Sequence, residues 1–243
     1  MRPTGVDPRN VIPYCTVSKK KLQHFAETAT FPNFFQPGPI NDPAGFHLKG
    51  KWNIDFFKND HPIFLELGCG KGEYTVGLAK KYPERNYIGV DIKGARMWRG
   101  AKTSVEEQIP NVAFVRTQIG SIPNYFSSPE VSGLWITFPD PHTPSARQNK
   151  RLTCPRFLNF YRSILKSDAI IHLKTDDNGL YEYTLEVIAS EGHTLHFNTA
   201  DLYQEAPGEE AAEIQTFYEH MWLKEGKSIK YLKFSLNQTA GIV

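Results

Sequence analysis

The sequence predicts an α/β fold: a doubly wound sheet of seven strands, the last antiparallel, with an irregular N-terminal arm. Three observations predict it. The stretch Ile63-Phe64-Leu65-Glu66-Leu67 is an apolar run that ends at Gly68, Gly70 and Gly72, three glycines at alternate positions. Apolar residues at Tyr74, Val76, Leu78, Ala79 and Tyr82 then return near helical spacing, which reads as strand, tight turn, helix. Short apolar runs go on alternating with helical segments to the end of the chain, as a sheet with crossover helices requires. Residues 1–60 are read as the arm and residues 61–243 as the domain.

The arm is rich in proline and aromatic residues (Phe25, Phe31, Phe34, Phe35, Phe46, Trp52, Phe56, Phe57) and has no smooth period. Its rings either cover apolar sheet surface or stack on bases. In the domain, the first strand is Ile63–Leu67, and its helix stops before Pro83. The second strand is Tyr87–Val90, followed by a basic helix over about Ala95–Gln108, and the third is Val112–Arg116. The fourth, Gly133–Phe138, runs into Pro139-Asp140-Pro141; a basic loop and helix cover Leu152–Leu165. The fifth is Ala169–Lys174, after which Thr175-Asp176-Asp177 caps a helix through Ile188. Thr194–Phe197 and Ile229–Phe234 complete the sheet, separated by an acidic segment around Ala206-Pro207-Gly208 that reads as mobile.

Composition excludes several classes. At 243 residues, 40% hydrophobic and 22% charged, the chain is ordinary for one globular domain. No apolar run reaches the roughly 18 residues of a membrane span, and the N-terminus lacks a signal pattern. Cys15, Cys69 and Cys154 are odd in number and far apart, so no disulfide framework is expected, and the cytoplasm is the expected compartment. His193 and His196 lack the partners of a zinc pattern, so no metal is expected. The net charge is only +2, but cations cluster at Lys19–Lys21, at Lys93, Arg96, Arg99 and Lys102, and at Arg147, Lys150, Arg151, Arg156, Arg162 and Lys166. Glu205, Glu209, Glu210 and Glu213 form an opposing acidic patch. The basic clusters are either solvated helix faces or the footprint of a phosphate backbone.

In an open α/β sheet the ligand lies beyond the carboxyl ends of the strands. That rule gathers Glu66, Asp91, Gln118, Asp140 and Asp176 on one rim. The glycine spacing is not the dinucleotide G-x-G-x-x-G, and a carboxylate two positions before the first glycine would repel a pyrophosphate. It suits a ligand carrying ammonium and sulfonium charge, and S-adenosylmethionine carries both. Asp91, at the end of the second strand, is the expected ribose ligand, and Gln118 stands where an adenine amide contact would fall. Asp140, between two prolines after an apolar strand, is aimed at the methyl donor.

Four boxes, Phe138-Pro139-Asp140-Pro141, Asn149-Lys150-Arg151-Leu152, Lys174-Thr175-Asp176 and Thr216-Phe217-Tyr218-Glu219, together with the glycine loop, resemble the tRNA (guanine-N(7))-methyltransferase family over most of residues 60–235. The resemblance implies a seven-stranded class I methyltransferase acting on a guanosine of the tRNA variable loop. It implies donor contacts from Glu66, Gly68, Gly70, Gly72, Asp91, Gln118 and Asp140, with Asp140 catalytic. Substrate contacts fall on Lys150, Arg151, Asp176, Thr216, Phe217, Tyr218 and Glu219, and the enzyme is expected as a monomer or homodimer. Two departures stand out. The family's aromatic-then-lysine stretch after Pro-Asp-Pro is His142-Thr143-Pro144-Ser145-Ala146-Arg147 here, so Arg147 takes the lysine's place, and Gln118 replaces the usual Asp or Asn. The alternatives are a methyltransferase of another nucleic acid or small substrate, or a non-catalytic tRNA-binding subunit.

Overall fold

The computed structural model describes residues 19–37, 45–143 and 145–238, so Cys15 lies outside the described residues. Helix α1 (Lys19–Thr28) and strand β1 (Phe34–Phe35) come first, followed by a π-helical turn over Trp52–Phe57. The series then runs β2 (Ile63–Leu67), α2 (Glu73–Lys81), β3 (Asn86–Asp91), α3 (Gly94–Glu106), β4 (Val112–Arg116), β5 (Val131–Thr137) and α4 (Pro155–Arg162). It ends with β6 (Leu165–Thr175), α5 (Asn178–Ser190), β7 (Thr194–Thr199), α6 (Leu202–Glu205), α7 (Phe217–Lys224) and β8 (Lys230–Ser235). Short 3-10 turns cover Ile119–Asn124, Ser145–Lys150 and Glu210–Ala212.

The strands form one sheet in the order β1-β4-β3-β2-β5-β6-β8-β7. Pairs from β1 to β6 are parallel, and β8 is antiparallel to both of its neighbours. The sheet therefore has eight strands rather than the seven expected. The added one is β1, two residues in the segment read as an irregular arm, whose Phe34 and Phe35 pair with Phe114 and Val115. Nothing local in Phe34-Phe35 marks a strand; the edge of β4 makes it one. The same arm supplies Trp52, fully buried, with its indole N–H donated to the Tyr125 carbonyl at 3.0 Å. No helix among the described residues is long and apolar enough to cross a membrane.

The chain reverses its direction of growth across the sheet between β2 and β5, where Leu65 pairs with Leu134 and Leu67 with Ile136. This topological switch opens a crevice at the carboxyl ends of those strands. Beneath it, the Phe114 ring fills the space between β3, α2 and α3. A Cβ at Gly72 would stand 2.6 Å from that ring, so Gly72 is required by packing as well as by its φ of +73°.

The acidic segment is neither a patch nor loose. Glu210 pairs with Arg85 at 2.8 Å, Glu213 with Lys81 at 2.6 Å and Glu209 with Lys233 at 2.7 Å. Glu205 accepts from the Thr199 hydroxyl. The acids serve as clasps that hold residues 205–213 against α2 and β8.

Candidate active site

A cleft open to solvent lies at the switch point. Its floor is Glu66 with Gly68, Cys69 and Gly70; Thr137 and Phe138 form one wall, Lys71, Tyr74 and Arg96 another, and Thr216 and Tyr218 reach over it. Gly68 and Gly70 have φ of +77° and +56°, and a Cβ at Gly68 would meet nothing within 4 Å. The loop thus presents bare main chain to open space, which lets a ligand approach the backbone closely.

Glu66 is buried and its carboxylate is part of the frame. One oxygen accepts from the backbone N–H and hydroxyl of Thr75, in the first turn of α2, and the other from the Thr137 hydroxyl at 2.7 Å. The acid therefore closes off a helix N-terminus that Gly72 leaves without a side-chain cap. Burial pushes its pKa from 4.5 up to about 7, against the pull of its bonds to Thr137 and Thr75. The acid expected to face a cation directly is thus fastened into the cleft floor by its bonds to Thr75 and Thr137.

Asp91 plays a related part. Its oxygens accept from the N–H of Gly70 at 2.9 Å and of Lys93 at 2.8 Å, so β3 fixes the shape of the glycine turn. Gln118 is exposed at the end of β4, next to Thr117, whose N–H reaches the Asp91 carbonyl. Neither Asp91 nor Gln118 lines the cleft floor.

Asp140 stands two residues beyond the wall residue Phe138. Its side chain is 73% exposed, and its carboxylate accepts one backbone bond, from His142 at 3.0 Å. The backbone around it is unusual: Phe138 and His142 have φ of +48° and +45°, in the left-handed region that side chains avoid. For Phe138 the following proline makes this region less favourable still. Strain of this kind survives only where neighbours enforce it; the Phe138 N–H is donated to the Lys174 carbonyl at 2.9 Å, and its ring packs 4.8 Å from Trp222.

The substrate-side residues divide. Arg147 and Lys150 are exposed on the 3-10 turn after the Pro-Asp-Pro box; the family's lysine position, near Pro144 or Ser145, lies outside the described side chains. Arg151 is instead buried: its guanidinium donates to the Pro141 carbonyl at 2.9 Å and lies over the Tyr183 ring. It braces the loop from within and is not presented to a phosphate. Asp176 is partly buried, 3.7 Å from Lys227. Thr216 caps α7, and Phe217 and Tyr218 are 54% and 47% exposed, with Lys71 over both rings. Glu219 is fully buried, with both oxygens engaged inside the protein. The S/T-x-x-E capping signature is visible in Thr216–Glu219 and points to this internal role. Thr137 and Tyr74 do not stand out in the sequence, each a single polar or aromatic residue in an apolar run, and Lys174, though part of one of the four boxes, carries no local sign of its burial. Among the described residues no cluster of His, Cys, Asp and Glu could hold a metal ion.

A family model described as "Putative methyltransferase" matches residues 60–232. A tRNA (guanine-N(7)-)-methyltransferase from Christiangramia forsetii is 52% identical over 90% of this chain and 99% of its own. Proteins of the same name from Bacteroides fragilis (49%, covering 91% and 88%) and Porphyromonas gingivalis (50%, covering 86% and 86%) are similar to it as well. Among solved structures, the 16S rRNA methyltransferase KamB superposes with a TM-score of 0.56 at 15% identity, over 72% of this chain and 88% of that one. A 16S rRNA (adenine(1408)-N(1))-methyltransferase from Catenulisporales acidiphilia, a point mutant with cosubstrate SAM, gives 0.52 at 15%, over 76% and 91%. The fold and its glycine-lined switch-point cleft define a class I methyltransferase. The chain belongs to the tRNA (guanine-N(7)-)-methyltransferase family.

Proposed function

We propose that the chain methylates the seventh-position nitrogen of a guanosine in the tRNA variable loop, with S-adenosylmethionine as donor. The observation that carries this reading is about half identity, over nine-tenths of the chain, to proteins bearing that name. The cleft fits such a donor: open main chain at Gly68 and Gly70 leaves room for it, and Glu66 gains from a neighbouring positive charge. When bound, S-adenosylmethionine supplies an electrophilic methyl group on a sulfonium.

Residues 61–243 would carry the activity, with residues 1–60 supporting the sheet through β1 and Trp52. On the donor side, the backbone of Gly68 and Gly70 would form the cradle with Gly72 and Asp91 holding its shape, Gln118 would serve the adenine and Glu66 would supply negative charge. On the acceptor side, Arg147 and Lys150 meet phosphate, while Asp176, Thr216, Phe217 and Tyr218 bound the space for the base. The acceptor nitrogen carries a lone pair and no proton, so no general base is required. Asp140 would then act by orientation and charge, offering its exposed carboxylate to the positive charge that passes to the purine. The test is radiolabelled methyl transfer to total tRNA followed by nucleoside analysis. Label in 7-methylguanosine is the expected result; label in another nucleoside, or none, would overturn the reading.

A further inference from the structure

We propose that the buried Lys174–Glu219 ion pair is a positioning device that sets the acceptor-facing turn of α7 against the Phe138–Pro141 box. The proposal rests on the reading that this cleft serves a donor and a tRNA. It assigns Glu219 no contact with substrate.

Both side chains are fully buried, with Lys174 Nζ 2.7 Å from Glu219 Oε1. The ammonium also donates to the carbonyls of Ala211 at 2.6 Å and Ile214 at 3.2 Å, so its three protons have three acceptors. Glu219 Oε1 accepts from the Tyr203 hydroxyl at 2.7 Å and Oε2 from the Thr216 N–H at 3.2 Å. The carboxylate is thus occupied on every side by the protein itself.

The position of the pair matters as much as its completeness. Lys174 holds the strained Phe138 through its main-chain carbonyl and holds α7 through its side chain, so one residue touches both walls of the cleft. Glu219 is the buried residue of α7; Phe217, Tyr218 and Met221 are exposed and Trp222 and Leu223 only partly covered. Apolar burial therefore does little to fix where α7 begins. The N–H of Phe217 adds one tie, to Glu73 at 2.9 Å. A buried ion pair is a poor source of stability, because desolvation offsets most of the attraction. Its directional bonds do define where Thr216, Phe217 and Tyr218 stand over the cleft.

Three variants test this: Glu219→Gln, Lys174→Met and the double variant, each assayed well below its melting temperature. The expected result is a rise of about tenfold or more in KM for tRNA, with kcat and the calorimetric donor Kd within about threefold of wild type. Deuterium uptake should increase in peptides covering residues 206–224 and stay unchanged in β2 and β3. If the single variants fail to fold because one charge is left unpaired, the double variant, which buries no unpaired charge, decides. An unchanged KM in a folded variant would overturn the proposal, as would kcat, KM and donor affinity worsening together in step with lost stability. Wild-type enzyme inactive on tRNA would instead sink the functional reading, and the deuterium-uptake arm would still report whether the pair holds α7.

Discussion

At the floor of the cleft Glu66 is buried and gives both oxygens to Thr75 and Thr137, whereas Asp140, two residues beyond the wall residue Phe138, is 73% exposed with one internal hydrogen bond. The two carboxylates close the ends of the same parallel neighbours, β2 and β5, yet only one is consumed by the framework. The difference extends to their surroundings. Around Glu66 the loop is held by the bond of Gly70 to Asp91 and by close packing at Phe114. Around Asp140 the chain turns through two left-handed residues and emerges into the exposed Arg147 and Lys150. Under the proposed reading, a donor wall assembled in advance would face an exposed acceptor rim. Environment, rather than residue type, separates the two acids.

The sharpest way to break that contrast is at Asp140. Asparagine keeps its shape and can accept the His142 N–H but removes the charge, so Asp140→Asn should retain its melting temperature while turnover falls about a hundredfold or more. Steady-state rates within about tenfold of wild type would show that the exposed acid has no part in the chemistry.

The next effect is the pH dependence of donor binding. In the folded protein the Glu66 pKa is raised by burial to about 7, above its ordinary 4.5, so between those values the folded state holds the extra proton. On its own Glu66 therefore makes stability decline as pH rises through that window. His172, buried against Trp135 and bonded to the Tyr231 hydroxyl, has its pKa lowered by burial to about 3 and acts with the opposite sign up to about 6.5. Melting curves mix the two, and donor affinity isolates the first. A cationic donor favours ionised Glu66, so affinity should rise by up to about tenfold per pH unit toward pH 7 and level off above it. Calorimetry at pH 6 and pH 8 measures this, and Glu66→Gln should abolish the slope. A flat wild-type profile would disconnect Glu66 from the donor.

How much of this was legible depended on whether the signal was local. The β2 strand, the glycine loop and the Asp177 cap of α5 are set by neighbours within a few residues, and the sequence shows them directly. Strand β1 is two phenylalanines that become a strand only on the edge of β4. The acids at 205–213 read as a free patch because Lys81, Arg85 and Lys233, which neutralise them, lie far along the chain. Lys174 opens one of the recognisable boxes, but nothing local marks its burial, since a lysine ending a strand is ordinary until Glu219 is folded over it. Rim membership of Glu66 and Asp91 followed from topology; that both are fastened to backbone and hydroxyl donors could not.

Lys150 and Arg151 carry this to its smallest and most discriminating case, because adjacent cations of one box point in opposite senses. Lys150 is exposed, while Arg151 is buried, bonded to Pro141 and lying over Tyr183. Lys150→Ala, like Arg147→Ala, should weaken tRNA binding a few-fold at moderate salt and lower the slope of log K against log salt by about one unit. Arg151→Ala should leave that slope near wild type, because no phosphate contact is lost, and instead reduce the melting temperature by freeing the loop that carries Asp140. Filter binding across a salt series, beside thermal melts, separates the two. If Arg151→Ala flattened the slope as Lys150→Ala does, the buried guanidinium would have to swing out to meet the RNA, and the acceptor rim would be remodelled by its partner rather than merely occupied by it.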